Sequence, residues 1–278
     1  MSTTDHFEAL FTHVAPSARA FFAGNLCETA QFTECGHLHF LRSGALTLAQ
    51  AGVPDVFVDE PTLLFFPRAR EHRFTGSAKG GADLICATVD LGASIGNPIG
   101  EGLPDLVMMP LSRHPALAPI CGLLVEEGFS DHDGRQVALD RLFEYLLILI
   151  VRHVVSSGAV AGGVLAGLAD PRLGRALTAM HAAPRRAWSL EDMAESAGMS
   201  RTRFATHFRA IVGRAPMDYL TGWRMTLARQ LLSKGKSVKS VAAEVGYGSA
   251  AAFSRVFNRV TGQTPRDEAM SRRDNDRA

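Results

Sequence analysis

With a formal net charge of +1 over 278 residues, 21% of them charged, the chain is close to neutral, a balance that points to no particular partner. Hydrophobic residues make up 46% of it. Yet the uncharged run of its most apolar helical stretch, Tyr145 to Val151, is far short of the ~20 residues needed to cross a bilayer, so no membrane partner is expected.

From about Thr33 to Leu91, short apolar or alternating runs follow one another: Cys35 to Leu41, Ala45 to Leu48, Val56 to Val58, Leu63 to Phe66 and Leu84 to Val89. Gly, Pro and charged turns separate them, the pattern of a small antiparallel β-barrel. Side chains alternate along a strand, so Cys35, His37 and His39 share one face. With His72 and Cys86 from other strands, that face would form a nitrogen and sulfur site suited to one zinc or another transition metal, His37, His39, His72 and Cys86 being its candidate ligands. Two other readings stay open. The histidines could be hydrogen-bonded, metal-free polar groups at a barrel mouth. Alternatively Cys27, Cys35 and Cys86 respond to oxidant, a disulfide from Cys27 or Cys35 to Cys86 shifting the barrel. The four cysteines come without a signal peptide, so free thiols and a cytoplasmic location are expected. Cys121, in the apolar run Leu117 to Val125, reads as core packing.

Pro67-Arg68-Ala69-Arg70-Glu71-His72 matches the PxGxxH core of the second cupin motif with Ala69 in place of Gly, and His37-Leu38-His39 matches the HxH that opens the first. On these residues the first domain resembles a cupin-type sensor domain. Arg42-Ser43-Gly44 stands where the first motif carries its acidic residue, a departure from a full dioxygenase-type metal centre.

Arg135 to Val155 reads as a helix with Val137, Leu139, Leu142, Leu146, Leu149 and Ile150 as its apolar stripe. That stripe serves either packing on its own barrel or a homodimer interface. Ser156-Ser157-Gly158 and Ala161-Gly162-Gly163 then form a flexible joint. At the far end, Ser271 to Ala278 is polar and expected to be disordered.

The C-terminal part repeats itself. Leu190, Met193, Ala194 and Gly198 return as Val238, Val241, Ala242 and Gly246; Phe204, Phe208, Gly213 and Pro216 return as Phe253, Phe257, Gly262 and Pro265. In each copy a short helix runs into a Gly able to take the left-handed turn conformation, and a second helix starts behind Ser200 or Ser249, each a suitable N-cap. Phe204, Phe208 and Ile211, and likewise Phe253, Phe257 and Val260, form the inward face. Two helix-turn-helix units result, joined by a helix from about Met217 to Lys234, able to read successive major-groove segments about 34 Å apart. Charge agrees: from Asp170 onward, 19 Lys and Arg against 10 Asp and Glu make +9, while the first 169 residues, 10 against 18, carry −8. The basic half attracts phosphates.

The stretch Arg172 to Pro265, with Trp188, Tyr219-Leu220-Thr221-Gly222-Trp223-Arg224-Met225, Val245-Gly246-Tyr247 and Phe253-Ser254-Arg255-Val256-Phe257, resembles the DNA-binding domain of the AraC/XylS family of bacterial transcription regulators. The resemblance implies an activator or repressor that binds promoter DNA, touches RNA polymerase and answers an effector. It also places the family's base-contacting positions on Thr202, Ala205 and Thr206. Helix phase adds Arg201 and Arg209 to that outward set and gives Ala250, Ala251, Ser254, Arg255 and Asn258 in the second unit, with Arg255 suited to a bidentate guanine contact. Arg203, Arg209, Lys239 and Arg259 read as phosphate contacts.

The expected architecture is α+β: a cupin-like antiparallel barrel over 1–110, a helical dimerisation segment over 111–157, a linker over 158–169, and an all-α domain with two helix-turn-helix units over 170–270. Its expected function is sequence-specific transcription regulation, not catalysis, with a barrel that senses a small molecule, metal or oxidant. The alternative is a metal-dependent cupin enzyme with a DNA-binding appendage.

Overall fold

The computed structural model describes residues 7–14, 16–92 and 99–275. These form two compact units. One contains residues 16–92 and 103–160; the other contains residues 161–275 together with α1 (Glu8–Val14) and residues 99–102.

Nine strands build the first unit: β1 (Ser17–Leu26), β2 (Thr29–Phe32), β3 (Gly36–Gly44), β4 (Leu46–Gln50), β5 (Val53–Val58), β6 (Thr62–Phe66), β7 (His72–Gly76), β8 (Ala82–Asp90) and β9 (Val107–Pro110). They pair antiparallel in two sheets, ordered β1-β8-β3-β6-β9 and β2-β7-β4-β5. The expected closed barrel is therefore corrected to two sheets that share one core. Leu41, Leu64, Phe66 and Leu84 of the first sheet meet Leu46, Leu48, Val58 and Phe74 of the second there. The chain passes from one sheet to the other at Gly44, whose φ of +80° and whose approach to the Gly81 carbonyl leave no room for a Cβ.

Closure is replaced by a helix. β1 is an edge strand with a register shift between Ala20 and Phe22, and α3 (Arg135–Ser156) packs along it. Leu139, Phe143, Leu146, Leu147, Ile150, Val151 and Val154 of α3 are buried in this unit, with α2 (Ala118–Gly128) packed beside them. Most of the stripe read as a dimer interface is thus spent on the helix's own domain, and the segment 111–157 is not a separate module. Val137 and Tyr145 remain exposed on α3. Cys121 is buried on α2, as its apolar run implies.

The second unit is helical. The expected linker over 158–169 is corrected, because α4 (Gly163–Ala169) occupies most of it and buries Val164, Leu165 and Leu168 against α5 (Leu173–Ala182) and α7 (Arg201–Val212). A spacing of one to three residues between apolar side chains is enough to anchor a two-turn helix, and the glycines around it do not prevent this. The remaining elements are α6 (Leu190–Ala197), α8 (Pro216–Ser233), α9 (Val238–Glu244), α10 (Ala250–Thr261) and α11 (Pro265–Asn275). α1 also packs in this unit, on α5 and α8, with Leu10 fully buried. The segment expected to be disordered from Ser271 continues α11 as far as Asn275; residues 276–278 lie outside the described residues.

Candidate functional site

Each helix-turn-helix pair is fixed locally before it is packed. Ser189 caps α6 through a capping box with Asp192, and Gly198 ends it in the left-handed conformation at φ 64°. The second copy has the same parts: the Ser237 hydroxyl accepts from Ser240 N, Gly246 turns at φ 86°, and Ser249 Oγ accepts from Ala252 N at 3.2 Å to start α10. Ser200 occupies the N-cap position of α7 in extended backbone without that side-chain bond. The rings of Phe204 and Phe208 pack in a tilted arrangement at 5.5 Å between centroids, as do those of Phe253 and Phe257, and all four are buried.

That packing turns the opposite faces outward. Arg201, Thr202, Arg203, Thr206 and Arg209 are exposed on α7 with Ala205 half-buried among them; on α10, Ala251, Arg255 and Asn258 are exposed and Ala250 and Ser254 half-buried. The ten residues assigned to the reading faces, and Arg203 beside them, therefore lie on a solvent-reachable side. They differ in readiness. Arg201 is held in an ion pair with Glu191 at 2.8 Å, whereas Arg203, Arg209 and Arg255 make no ion pair among the described residues. The small side chains at Ala250, Ala251 and Ser254 leave an open concavity of about 770 Å³ that Lys239 and Arg266 flank. Arg224 on α8 ties the segment that leads into α6 to the turn between α9 and α10: Nε donates to the Pro184 carbonyl and Nη2 to that of Arg186, both at 2.8 Å, and the guanidinium sits over the Tyr247 ring. Neither the Glu191 ion pair nor this stitch has a signal in helix periodicity.

The sheet unit holds a second constellation. His37 and His39 on β3 and His72 at the start of β7 come from different sheets, yet one ring nitrogen of each lies within 4.8 Å of the others. Their exposures are 5%, 0% and 1%. His72 Nδ1 donates to the Arg70 carbonyl at 2.7 Å, which leaves its Nε2 lone pair facing His39 Nε2 at 3.0 Å. Phe66 stacks on His72 at 3.7 Å, Phe32 and Phe74 each stand 4.7 Å from His39, and these rings make the surroundings apolar. Burial lowers the pKa of all three histidines, that of His72 to about 4, so they are neutral at physiological pH. Nδ1 of His37 and of His39 are buried without a hydrogen-bond partner. Three neutral, closely spaced imidazoles fit a divalent transition metal, and the backbone carbonyl behind His72 is the usual outer support of such a ligand.

Cys86 does not join them. It faces His39 in the β3–β8 register but lies in the apolar cluster with Leu41 and Leu84, and burial pushes its thiol up. Its expected role as a metal ligand is corrected accordingly. Cys35 is the sulfur that approaches: its Sγ is 3.6 Å from His37 Nε2. Burial, and then the charges of Glu34 and Asp90, raise the Cys35 pKa, the reverse of an activated thiolate. Cys27 is exposed and donates to Asn25 Oδ1 at 2.8 Å.

The expected disulfide is corrected by register. Gly36 pairs with Val89 while His39 pairs with Cys86, so Cys35 lies four residues along β3 from the level of Cys86, roughly 13 Å. Cys27 lies five residues along from Phe22, the β1 partner of Cys86, roughly 16 Å. A disulfide needs Cα atoms within about 7 Å. Alternation along one strand showed which side chains share a face but not how far apart the cross-strand partners stand.

Residues 5–156 match the family model of a cupin domain and residues 193–269 that of a helix-turn-helix domain. A putative AraC-like transcription regulator of Streptomyces lividans is 41% identical over 173 residues, 60% of this chain. The match spans little more than half, 56%, of that relative's length. An uncharacterized HTH-type transcriptional regulator of Haemophilus influenzae is 32% identical over 246 residues, covering 80% of this chain and 82% of the relative. Among solved structures, a transcriptional regulator of Chromobacterium violaceum with an AraC-type DNA-binding domain is 31% identical, covers 37% of this chain and 92% of its own, and has a TM-score of 0.35. No helix among the described residues is long and apolar enough to cross a membrane.

Proposed function

This chain belongs to the AraC-type helix-turn-helix transcription regulators that carry an N-terminal cupin domain, and from that membership we propose that it regulates promoters by sequence-specific binding under the control of an ion held in its sheet domain. The observation that carries the DNA part is the pair of outward faces on α7 and α10, basic and backed by Phe204/Phe208 and Phe253/Phe257. Arg255 reads a base edge, Arg203, Arg209 and Lys239 hold phosphates, and the short side chains of Ala250 and Ala251 suit thymine methyls.

The buried group His37, His39 and His72 supports the effector part. Because β3 and β7 belong to different sheets, an ion held there would tie the two sheets together, and a zinc-class ion supplies that cross-link without redox chemistry of its own. Control of DNA binding then requires that the ion prefer one of two arrangements of the protein. The group sits in an aromatic cage in a family of regulators, which favours sensing over catalysis; turnover of a small molecule by the purified chain would reverse that reading.

Selection of duplexes from a random pool by the full chain tests the DNA part. A recurrent motif is expected, bound roughly 10³-fold or more above unrelated DNA at the same salt concentration. Equal affinity for every duplex would reduce the chain to a nonspecific DNA binder. Metal analysis of the purified chain tests the effector part: one ion per chain is expected, lost in a His37→Ala, His72→Ala double variant.

A further inference from the structure

The three histidines leave a four-coordinate ion one donor short, and the acidic residue that the first cupin motif would carry is replaced by Arg42-Ser43-Gly44. We propose that Cys35 supplies that donor, so that His37, His39, His72 and the Cys35 thiolate together form a site for zinc or a similar borderline-soft divalent ion. The proposal rests on the metal reading above and adds the sulfur to it.

Distances support the assignment. A nitrogen and a sulfur bound to one tetrahedral zinc, with bonds of roughly 2.05 and 2.3 Å, stand about 3.6 Å apart. Cys35 Sγ and His37 Nε2 are 3.6 Å apart. Two nitrogens on the same ion stand roughly 3.3 Å apart, and His39 Nε2 and His72 Nε2 are at 3.0 Å. Each pair, hydrogen-bonded here, already has close to the spacing that two ligands of one ion would have.

Position supports it as well. Cys35 lies in the turn between β2 and β3, outside the strand ladders, and is half-buried beside the most exposed of the three histidines. It lies outside the group whose donor atoms are mutually within 4.8 Å, so the turn carries it inward when the ion binds. Such a movement costs no ladder hydrogen bond, because the first paired residue is Gly36. Cys86 has no comparable freedom: it is paired on both sides, with Phe22 of β1 and His39 of β3, and its thiol is packed among aliphatic side chains. Three imidazoles with one thiolate form a donor set for zinc or cobalt; the two-histidine, one-carboxylate set of iron oxygenases is a different one.

The full chain, stripped with a chelator under reducing conditions and titrated with cobalt(II), tests the assignment. Saturation at one cobalt per chain is expected, with the visible bands of a four-coordinate ion and a thiolate-to-cobalt charge-transfer band in the near ultraviolet. Cys35→Ser, a change at a half-buried turn, should keep the stoichiometry, lose the charge-transfer band and weaken binding tenfold or more. Cobalt binding without that band, or a band that survives Cys35→Ser, overturns the role of Cys35 while the histidine site stands. No saturable cobalt binding by the wild-type chain overturns both.

Discussion

The Asp140 carboxylate accepts the backbone N–H of Ala20 at 2.8 Å, bridging α3 and the edge strand β1 across 120 residues of sequence. Gln136 completes the bridge by donating to the Ala20 carbonyl at 2.8 Å and to Asp140 at 2.9 Å. Ala20 sits where the β1–β8 register shifts, so its backbone groups look to the helix for partners. Asp140→Ala is expected to destabilise the sheet unit by about 1–3 kcal/mol, by leaving the Ala20 N–H short of a partner. Thermal denaturation of the two proteins measures this, and an unchanged midpoint would show that water replaces the carboxylate without cost.

Acid should weaken the metal-free protein through its histidines. Above pH 6.5 His72 is neutral in the folded and unfolded chains alike, and its contribution to stability is complete. Between 6.5 and about 4 the unfolded chain takes up a proton that the buried ring refuses, so stability falls as pH falls, by roughly 3 kcal/mol in all. His39, lowered further by burial and by its histidine neighbours, acts in the same direction. Denaturant midpoints measured against pH for the wild type and for His72→Gln should converge toward pH 4; parallel curves would contradict the burial argument.

On the reading face, Arg255→Ala should lower specific promoter affinity by about 1–3 kcal/mol and relax preference at one base position. Lys239→Ala should instead weaken binding to all sequences alike and reduce the slope of log affinity against log salt by about 1. Fluorescence anisotropy with a selected duplex and an unrelated one separates the two effects. If Arg255→Ala lowered both affinities equally, Arg255 would be a phosphate contact.

Glu268 is buried on α11 and accepts from Arg229 Nε on α8 at 3.0 Å, with 3% and 18% of the two side chains exposed. Glu268→Ala leaves the guanidinium unpaired in a mostly dry site and should cost about 3–5 kcal/mol. Replacing both residues with apolar ones of similar volume should recover most of the loss, which chemical denaturation of the two variants would reveal.

Much of the candidate DNA interface was legible because its signals are local. The spacing of Phe204 and Phe208, the glycines at 198 and 246, and the serines before each second helix all act within one or two turns, and their repetition removed the ambiguity of a single copy. The ion pair of Arg201 with Glu191 was not legible, since it joins two helices whose crossing no periodicity specifies. In the sheet unit the order of runs announced most of the strands, and HxH with the later His72 marked the cluster. Cys86 stands opposite His39 in register, yet its thiol lies among Leu41 and Leu84, which sequence alternation does not specify, and the glycines around the short apolar segment of α4 resemble a joint.

By itself, then, the sequence determined the two helix-turn-helix units, the residues of their outward faces and the histidines of the sheet domain, all of which follow from backbone periodicity and turn chemistry acting over a few residues. Tertiary structure alone decided that two sheets meet without closing, that α3 spends its apolar stripe on β1 and α2, and that three histidines from two sheets meet while Cys86 is held beyond disulfide reach of Cys27 and Cys35. Those outcomes depend on strand register and on burial shared between segments far apart in sequence, where a shift of one residue turns a side chain to the other face.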